Sequence, residues 1–206
     1  MPDFKNIEKE IVSGLRRTCL DVLNFSGKFD AKYIPDHMTT LNVAKSIGNL
    51  NYNYGVPYYI RFEKTYNPGW MNITMKNNNI REPLTSIKVR LLNPSKKKFK
   101  EDLIKLSDYM KNNNMKHTYF ASILFDKDIT TQEEAKKFFK KQNIIYTKWV
   151  NNTIKKENIS CETKIIPIYE SISTAESFNL TNEIINENPG KEIFFGGLII
   201  KLNKVV

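Results

Sequence analysis

The stretch from residue 84 to residue 125 constrains this chain more than any other. In "LTSIKVRLLN" the residues alternate, with Ile87, Val89 and Leu91 on one side and Lys88 and Arg90 on the other, which is the period of a strand. Past Asn93-Pro94-Ser95 the period changes. Phe99, Leu103, Leu106 and Met110 fall at helical spacing in "KKKFKEDLIKLSDYMKNNN", with Ser95 placed as its N-cap and the Asn112–Asn114 run ending it. "HTYFASILF" then reads as a compact apolar strand. A strand, a helix and a strand in succession predict a crossover connection within one sheet.

The flanking segments extend that plan. "DFKNIEKEIVSGLRRTCLDVLNFSG" carries a helical stripe of Ile7, Ile11, Leu15, Cys19 and Val22, with Asp3 as its N-cap and Ser26-Gly27 as its stop. "KFDAKYIPD" reads as extended, and "HMTTLNVAKSIGNL" as a second helix burying Val43, Ala44, Ile47 and Leu50. From residue 54, "YGVPYYIRFEKTY" alternates and is rich in aromatic and β-branched residues. Asn67-Pro68-Gly69 turns the chain into "WMNITMK", which completes a hairpin. Downstream, Thr131 and Glu134 form a capping box for residues 131–156, read as one long helix or two. "TKIIPIYES" and "EIFFGGLIIKL" are the closing strands, separated by the polar segment 172–191. Gly196-Gly197 in the last of them points to a bulge or a close backbone approach, because no phosphate-loop pattern accompanies it.

A hairpin followed by strand–helix–strand connections predicts an α/β fold: a mixed β-sheet flanked by helices on both faces. The chain has 206 residues and shows no internal repeat or low-complexity linker, so one domain over 1–206 is expected. Residues 1–50 form its helical N-terminal part. No apolar run approaches the roughly 20 residues that a spanning helix needs. The opening "MPDFKNIEKE" is acidic and lacks the apolar core of a signal peptide. A soluble, cytoplasmic protein with no membrane partner is the expectation.

The formal charge of +10 suits a polyanion. Its composition weakens the signal, because 27 of the 32 basic residues are Lys and only five are Arg, the side chain suited to bidentate phosphate contacts. The chain is also rich in Asn and Ile, the usage an AT-rich genome imposes on any protein. Position is more telling than number. Lys88, Arg90, Lys96, Lys97, Lys98 and Lys100 cluster at the end of one strand and the start of the next helix, where they suit nucleic-acid binding along a phosphate backbone. A solvated basic surface is the plainer reading of the same residues. Tyr52, Tyr54, Tyr58, Tyr59 and Trp70 either stack on bases, fill an interface or pack the rim of the sheet.

Cys19 and Cys161 belong to no ligand-spaced pair and read as buried free thiols before a disulfide or a nucleophile. With only His37 and His117 as histidines, no zinc site is expected.

The order helix, β-hairpin, strand, helix, strand over residues 37–126 resembles the core of the PD-(D/E)xK, or restriction-endonuclease-like, nuclease superfamily. The likeness is best in "WMNITMKNNNIREPLTSIKVRLLNPSKKKFKEDLIKLSDYMKNNNMKHTYFASILF". It implies a nuclease-like core over residues 54–126, with a helix and closing strands over 127–206. In that family two carboxylates hold a divalent cation beside the scissile phosphate and a Lys orients the attacking water. The resemblance places the first acid at Asn72, the second at Lys88 and the Lys at Arg90, so all three positions depart from the pattern. An ammonium about 4 Å from a cation site repels it by several kcal/mol at an effective dielectric near 20.

The resemblance with these departures implies a nucleic-acid-binding or partner-binding protein with an inactive nuclease-like core, of the kind found in mobile-element or defence systems. DNA, RNA or a protein subunit would then be the partner, and no cofactor or metal site is implied. An alternative is a Mg-dependent endonuclease that recruits Glu63 and Glu82 with Lys88, although Glu63 and Lys64 are adjacent and so point to opposite faces of a strand. Asp36, in a literal Pro-Asp, is a further acid. The third reading is a protein–protein interaction module without nucleic acid.

Overall fold

The computed structural model describes residues 4–26, 37–54, 58–64, 71–77, 83–154, 159–171 and 192–205. Two helices lead, α1 (Phe4–Ser26) and α2 (Met38–Tyr54), followed by β1 (Tyr58–Lys64), β2 (Met71–Asn77) and β3 (Pro83–Leu92). The chain continues through α3 (Lys96–Asn112), β4 (His117–Phe125), α4 (Gln132–Ile154), β5 (Ile159–Ser171) and β6 (Glu192–Lys204). The strands form one six-stranded sheet in the order β1-β2-β3-β4-β6-β5. Strands β3 and β4, joined through α3, run parallel, and every other neighbouring pair is antiparallel. The expected mixed sheet with helices on both faces is therefore the observed fold.

Alternation along the strands divides the core in two. Ile73, Ile87, Val89, Tyr119, Ala121, Ile123 and Ile199 pack with the α1 stripe and with Val43, Ala44, Ile47 and Leu50 of α2. On the opposite face Phe120, Leu124, Phe194, Leu198 and Ile200 pack with Phe99, Leu103, Leu106 and Met110 of α3 and with Phe139, Tyr146 and Val150 of α4. The α1 and α2 backbones meet at Gly14, where a Cβ atom would stand 2.4 Å from the Val43 Cα.

Several boundaries differ from the sequence reading. Helix α2 runs on to Tyr54, so Tyr52 and Tyr54 are helical while Tyr58 and Tyr59 open β1. Of the segment expected to be one long helix or two, Gln132–Ile154 is a single helix, and Thr131 and Glu134 cap it as expected: the Glu134 amide donates to Thr131 Oγ1 at 3.3 Å, and the Thr131 amide to Glu134 Oε2 at 3.1 Å. Strand β5 begins at Ile159, four residues before the expected Thr163, because its ladder follows β6 out to Lys204. Its Pro167 is tolerated because β5 is an edge strand.

Of the two readings of Gly196-Gly197, close approach is the observed one. The β6 ladders continue through both residues without a shift in register. A Cβ on Gly196 would lie 2.7 Å from the Phe139 ring of α4, and one on Gly197 would lie 3.3 Å from Leu15 of α1. The pair thus receives one helix on each face of the sheet. Cys19 is buried and in no disulfide, as expected, whereas Cys161, also in no disulfide, is only half-buried. Asp3, the 28–36 segment, Asp36, the Asn67–Gly69 turn, Trp70, Glu82 and the 172–191 segment lie outside the described residues.

Candidate phosphate-binding site at the end of β3

Strand β3 is third of six, and its two faces are covered by different helices. Ile87 and Val89 go to the α1–α2 side as their hydrophobicity requires. Lys88 and Arg90 go to the α3 side, because side chains alternate. This corrects the expectation of an exposed basic face. Lys88 is only 3% exposed, level in the ladder with the buried Phe120 of β4. A central strand in a three-layer fold has no solvent face, whatever its alternation suggests.

A buried cation, Lys88, and a partly buried one, Arg90, need a counter-charge, and α3 supplies it. Asp102, 1% exposed, accepts from Arg90 Nε at 2.5 Å and from Arg90 Nη2 at 2.9 Å. The pair is bidentate, the geometry in which guanidinium and carboxylate interact best. Burial pushes the Lys88 amine down to about 8, against the pull of Asp102 and with help from the positive charges of Arg90 and Lys105. Ser86, Lys88 and Arg90 thus form a polar row along β3 beneath α3, with one carboxylate among two cations.

Beyond this row the strand opens into a pocket of about 600 Å³. Residues Lys88 to Leu92 line it along the strand, and Asn93, Pro94, Ser95 and Lys98 continue the lining around the turn into α3. His37 and Thr40, at the start of α2, complete it.

The turn that forms this wall is held at three points. Asn93 adopts a left-handed backbone with φ of 35°, a conformation Asn tolerates better than most residues. Its side-chain amide donates to the Phe125 carbonyl at 2.6 Å and accepts from the Phe125 amide at 3.1 Å, so it prolongs the β3–β4 ladder by one step. The Pro94 carbonyl accepts from the Tyr146 hydroxyl of α4 at 3.3 Å. Ser95 then caps α3, its Oγ accepting from the Lys98 amide at 3.4 Å. The positive end of the α3 dipole therefore lies beside the pocket.

The structure brings together three of the six expected nucleic-acid-binding residues, Lys88, Arg90 and Lys98. Lys96 and Lys97 are exposed on the first turn of α3 and Lys100 is half-buried one turn further on, all outside the pocket lining. Of the candidate catalytic residues, Glu63 stands in β1 opposite Asn72, and Asn72 stands opposite Lys88, so the three share one row across the sheet. The sequence reading does not single out Asp102, although the chain carries a signal for it. Asp102 lies three residues after Phe99 and beside Leu103, a carboxylate on the stripe that a helix turns toward its core. His37 and Thr40 carry no such signal, because only the fold brings the start of α2 to the end of β3.

Among the described residues, those at the end of β3 do not fit the divalent cation that a nuclease core would hold. Lys88, where the resemblance would put a metal-binding carboxylate, is a buried amine, and the nearby carboxylate of Asp102 is engaged by Arg90. Among the described residues no three His, Cys, Asp or Glu side chains gather as a metal site would require. Also among these residues, no helix is long and apolar enough to cross a membrane.

Comparison with protein-family models, with curated proteins and with solved structures finds no match for this chain.

Proposed function

We propose that the protein binds nucleic acid through phosphate groups at the end of β3 and that its restriction-endonuclease-like core is non-catalytic. The observation that carries this reading is the pocket lined by Lys88, Arg90 and Lys98, whose nearby acid, Asp102, is already bonded to Arg90. Such a site offers positive charge to an anion and no carboxylate cage to a metal. The likeness to a nuclease core draws support from the contiguous order α2, β1, β2, β3, α3, β4 and from the parallel β3–β4 pair. Exposed Lys96 and Lys97 extend the positive surface along α3.

The competing reading, a Mg-dependent endonuclease built on Glu63, Glu82 and Lys88, has one observation on its side. Glu63 lies in the Lys88 row, with only Asn72 between them. Fluorescence anisotropy with labelled DNA and RNA at rising salt separates the readings. Binding should weaken steeply with salt, and replacing Lys96 or Lys97 should lower the logarithmic slope by about 0.7–0.9 for each phosphate no longer neutralised. Cleavage in Mg²⁺ or Mn²⁺ that disappears in Glu63→Ala would establish the endonuclease instead. A protein-interaction module would show neither binding nor cleavage.

A further inference from the structure

Depth within the pocket suggests which phosphate it takes. Lys98 is exposed at the rim, Arg90 is a third exposed, and Lys88 is almost entirely buried. The turn through Asn93 and Ser95 bounds one side, and His37 and Thr40 bound another. A strand passing over such a concavity keeps its phosphates at the rim, because the chain continues in both directions. A strand end can reach inward.

Charge points the same way. Lys88, Arg90 and Asp102 together carry one net positive charge at the floor when Lys88 is protonated, and Lys98 adds another at the rim. The α3 N-terminus contributes about half a charge more. A phosphodiester brings one negative charge, whereas a phosphate monoester brings about 1.5 to 2 near neutral pH. The monoester is the better match.

We propose that this pocket is an end-recognition site that takes a phosphate monoester, the terminal phosphate of a nucleic-acid strand. The inference rests on the nucleic-acid reading and goes further by distinguishing chain ends from chain interiors. Arg90, with two of its N–H donors on Asp102, is held in orientation by that pair, and Lys88 supplies charge from beneath. Because burial lowers the Lys88 amine, the phosphate should bind its protonated form and draw a proton from solution at mildly alkaline pH.

The test uses the full chain and one internally labelled oligonucleotide prepared with a 5′-phosphate, with a 3′-phosphate or with hydroxyl ends. One phosphorylated form is expected to bind about tenfold more tightly than the hydroxyl-ended strand, the scale of one added charge-assisted hydrogen bond. Lys98→Ala, a change at an exposed position, should bring that ratio toward one. Inorganic phosphate should compete better than chloride at equal ionic strength. Which end gives the advantage identifies the source of the phosphate. Equal affinity for all three strands would overturn end recognition and leave backbone binding standing. Failure of every strand to bind at low salt would overturn both readings.

Discussion

Arg90 on β3 and Asp102 on α3 are joined by two parallel hydrogen bonds, with the carboxylate buried and the guanidinium reaching the pocket. This pair ties the parallel strand–helix unit together where the pocket wall begins. Removing one partner leaves an uncompensated buried charge, which costs far more than a surface pair. Because the Arg90 guanidinium is a third exposed, Asp102→Asn should lower stability by about 1–3 kcal/mol, less than for a fully buried pair. The double variant Arg90→Met with Asp102→Leu should lose much less than the two single changes added together. A double-mutant cycle by urea unfolding measures the difference.

Lys88 should make stability depend on alkaline pH in an unusual direction. Its folded value of about 8 lies below the ordinary 10.5. Below pH 8 both folded and unfolded chains carry the proton, and the cost of burying the charge is fully present. Between about 8 and 10.5 the unfolded chain binds more protons, so this group's contribution to stability rises with pH. Lys88→Met should gain about 1–3 kcal/mol at pH 7. That advantage over the wild type should shrink by about pH 10 when urea midpoints are compared across the range. An advantage that stays constant with pH would mean that the folded amine titrates normally.

Two glycines should respond oppositely to alanine. At Gly196 a Cβ would press on the Phe139 ring at 2.7 Å and on Ile165 at 3.0 Å, both set within the sheet–α4 packing. Gly196→Ala should cost about 1–3 kcal/mol through overpacking. At Gly48, inside α2, the nearest atom would be the Ile60 side chain at 3.7 Å, an ordinary contact. Gly48→Ala should add up to about 1 kcal/mol through helix propensity. Thermal unfolding of the two variants checks both signs.

The α4 capping box should give way in acid. Hydrogen bonds from the Thr130 amide, from the hydroxyls of Thr131 and Thr130 and from the Thr131 amide hold the Glu134 carboxyl below its usual range. A depressed carboxyl contributes stability above its unfolded value, and the contribution fades as pH falls through the folded one. Glu134→Ala should accordingly melt earlier than wild type at neutral pH and at the same temperature once pH is well below the carboxylate range. Thr131→Ala should cost about 1 kcal/mol at neutral pH.

The order and type of the elements are legible in the chain because each rests on local chemistry. The stripe from Phe99 to Met110, the Ser95 and Thr131 caps and the apolar run of β4 need no knowledge of neighbours. The acidic partner is partly legible, since Asp102 interrupts the stripe that α3 buries. The pocket is not. His37 and Lys98 are far apart in the chain and share a cavity only because α2 and α3 begin at the same end of β3.

The sequence by itself determined that residues 86–95 are the end of a strand with two chemically different faces and the turn that leads from it into a capped helix. Only the tertiary structure decided that the basic face is covered. Alternation records which side chains share a face, and it is the same for an edge strand and a central one. Whether a second layer lies over that face depends on where α3 and α4 return to the sheet, which is a matter of long-range packing. In this protein α3 returns over Lys88 and Arg90, and α4 packs beside it over β5 and β6. The cations that read as a solvated surface in the sequence thereby become the floor of the proposed anion site, held by Asp102 from the helix above.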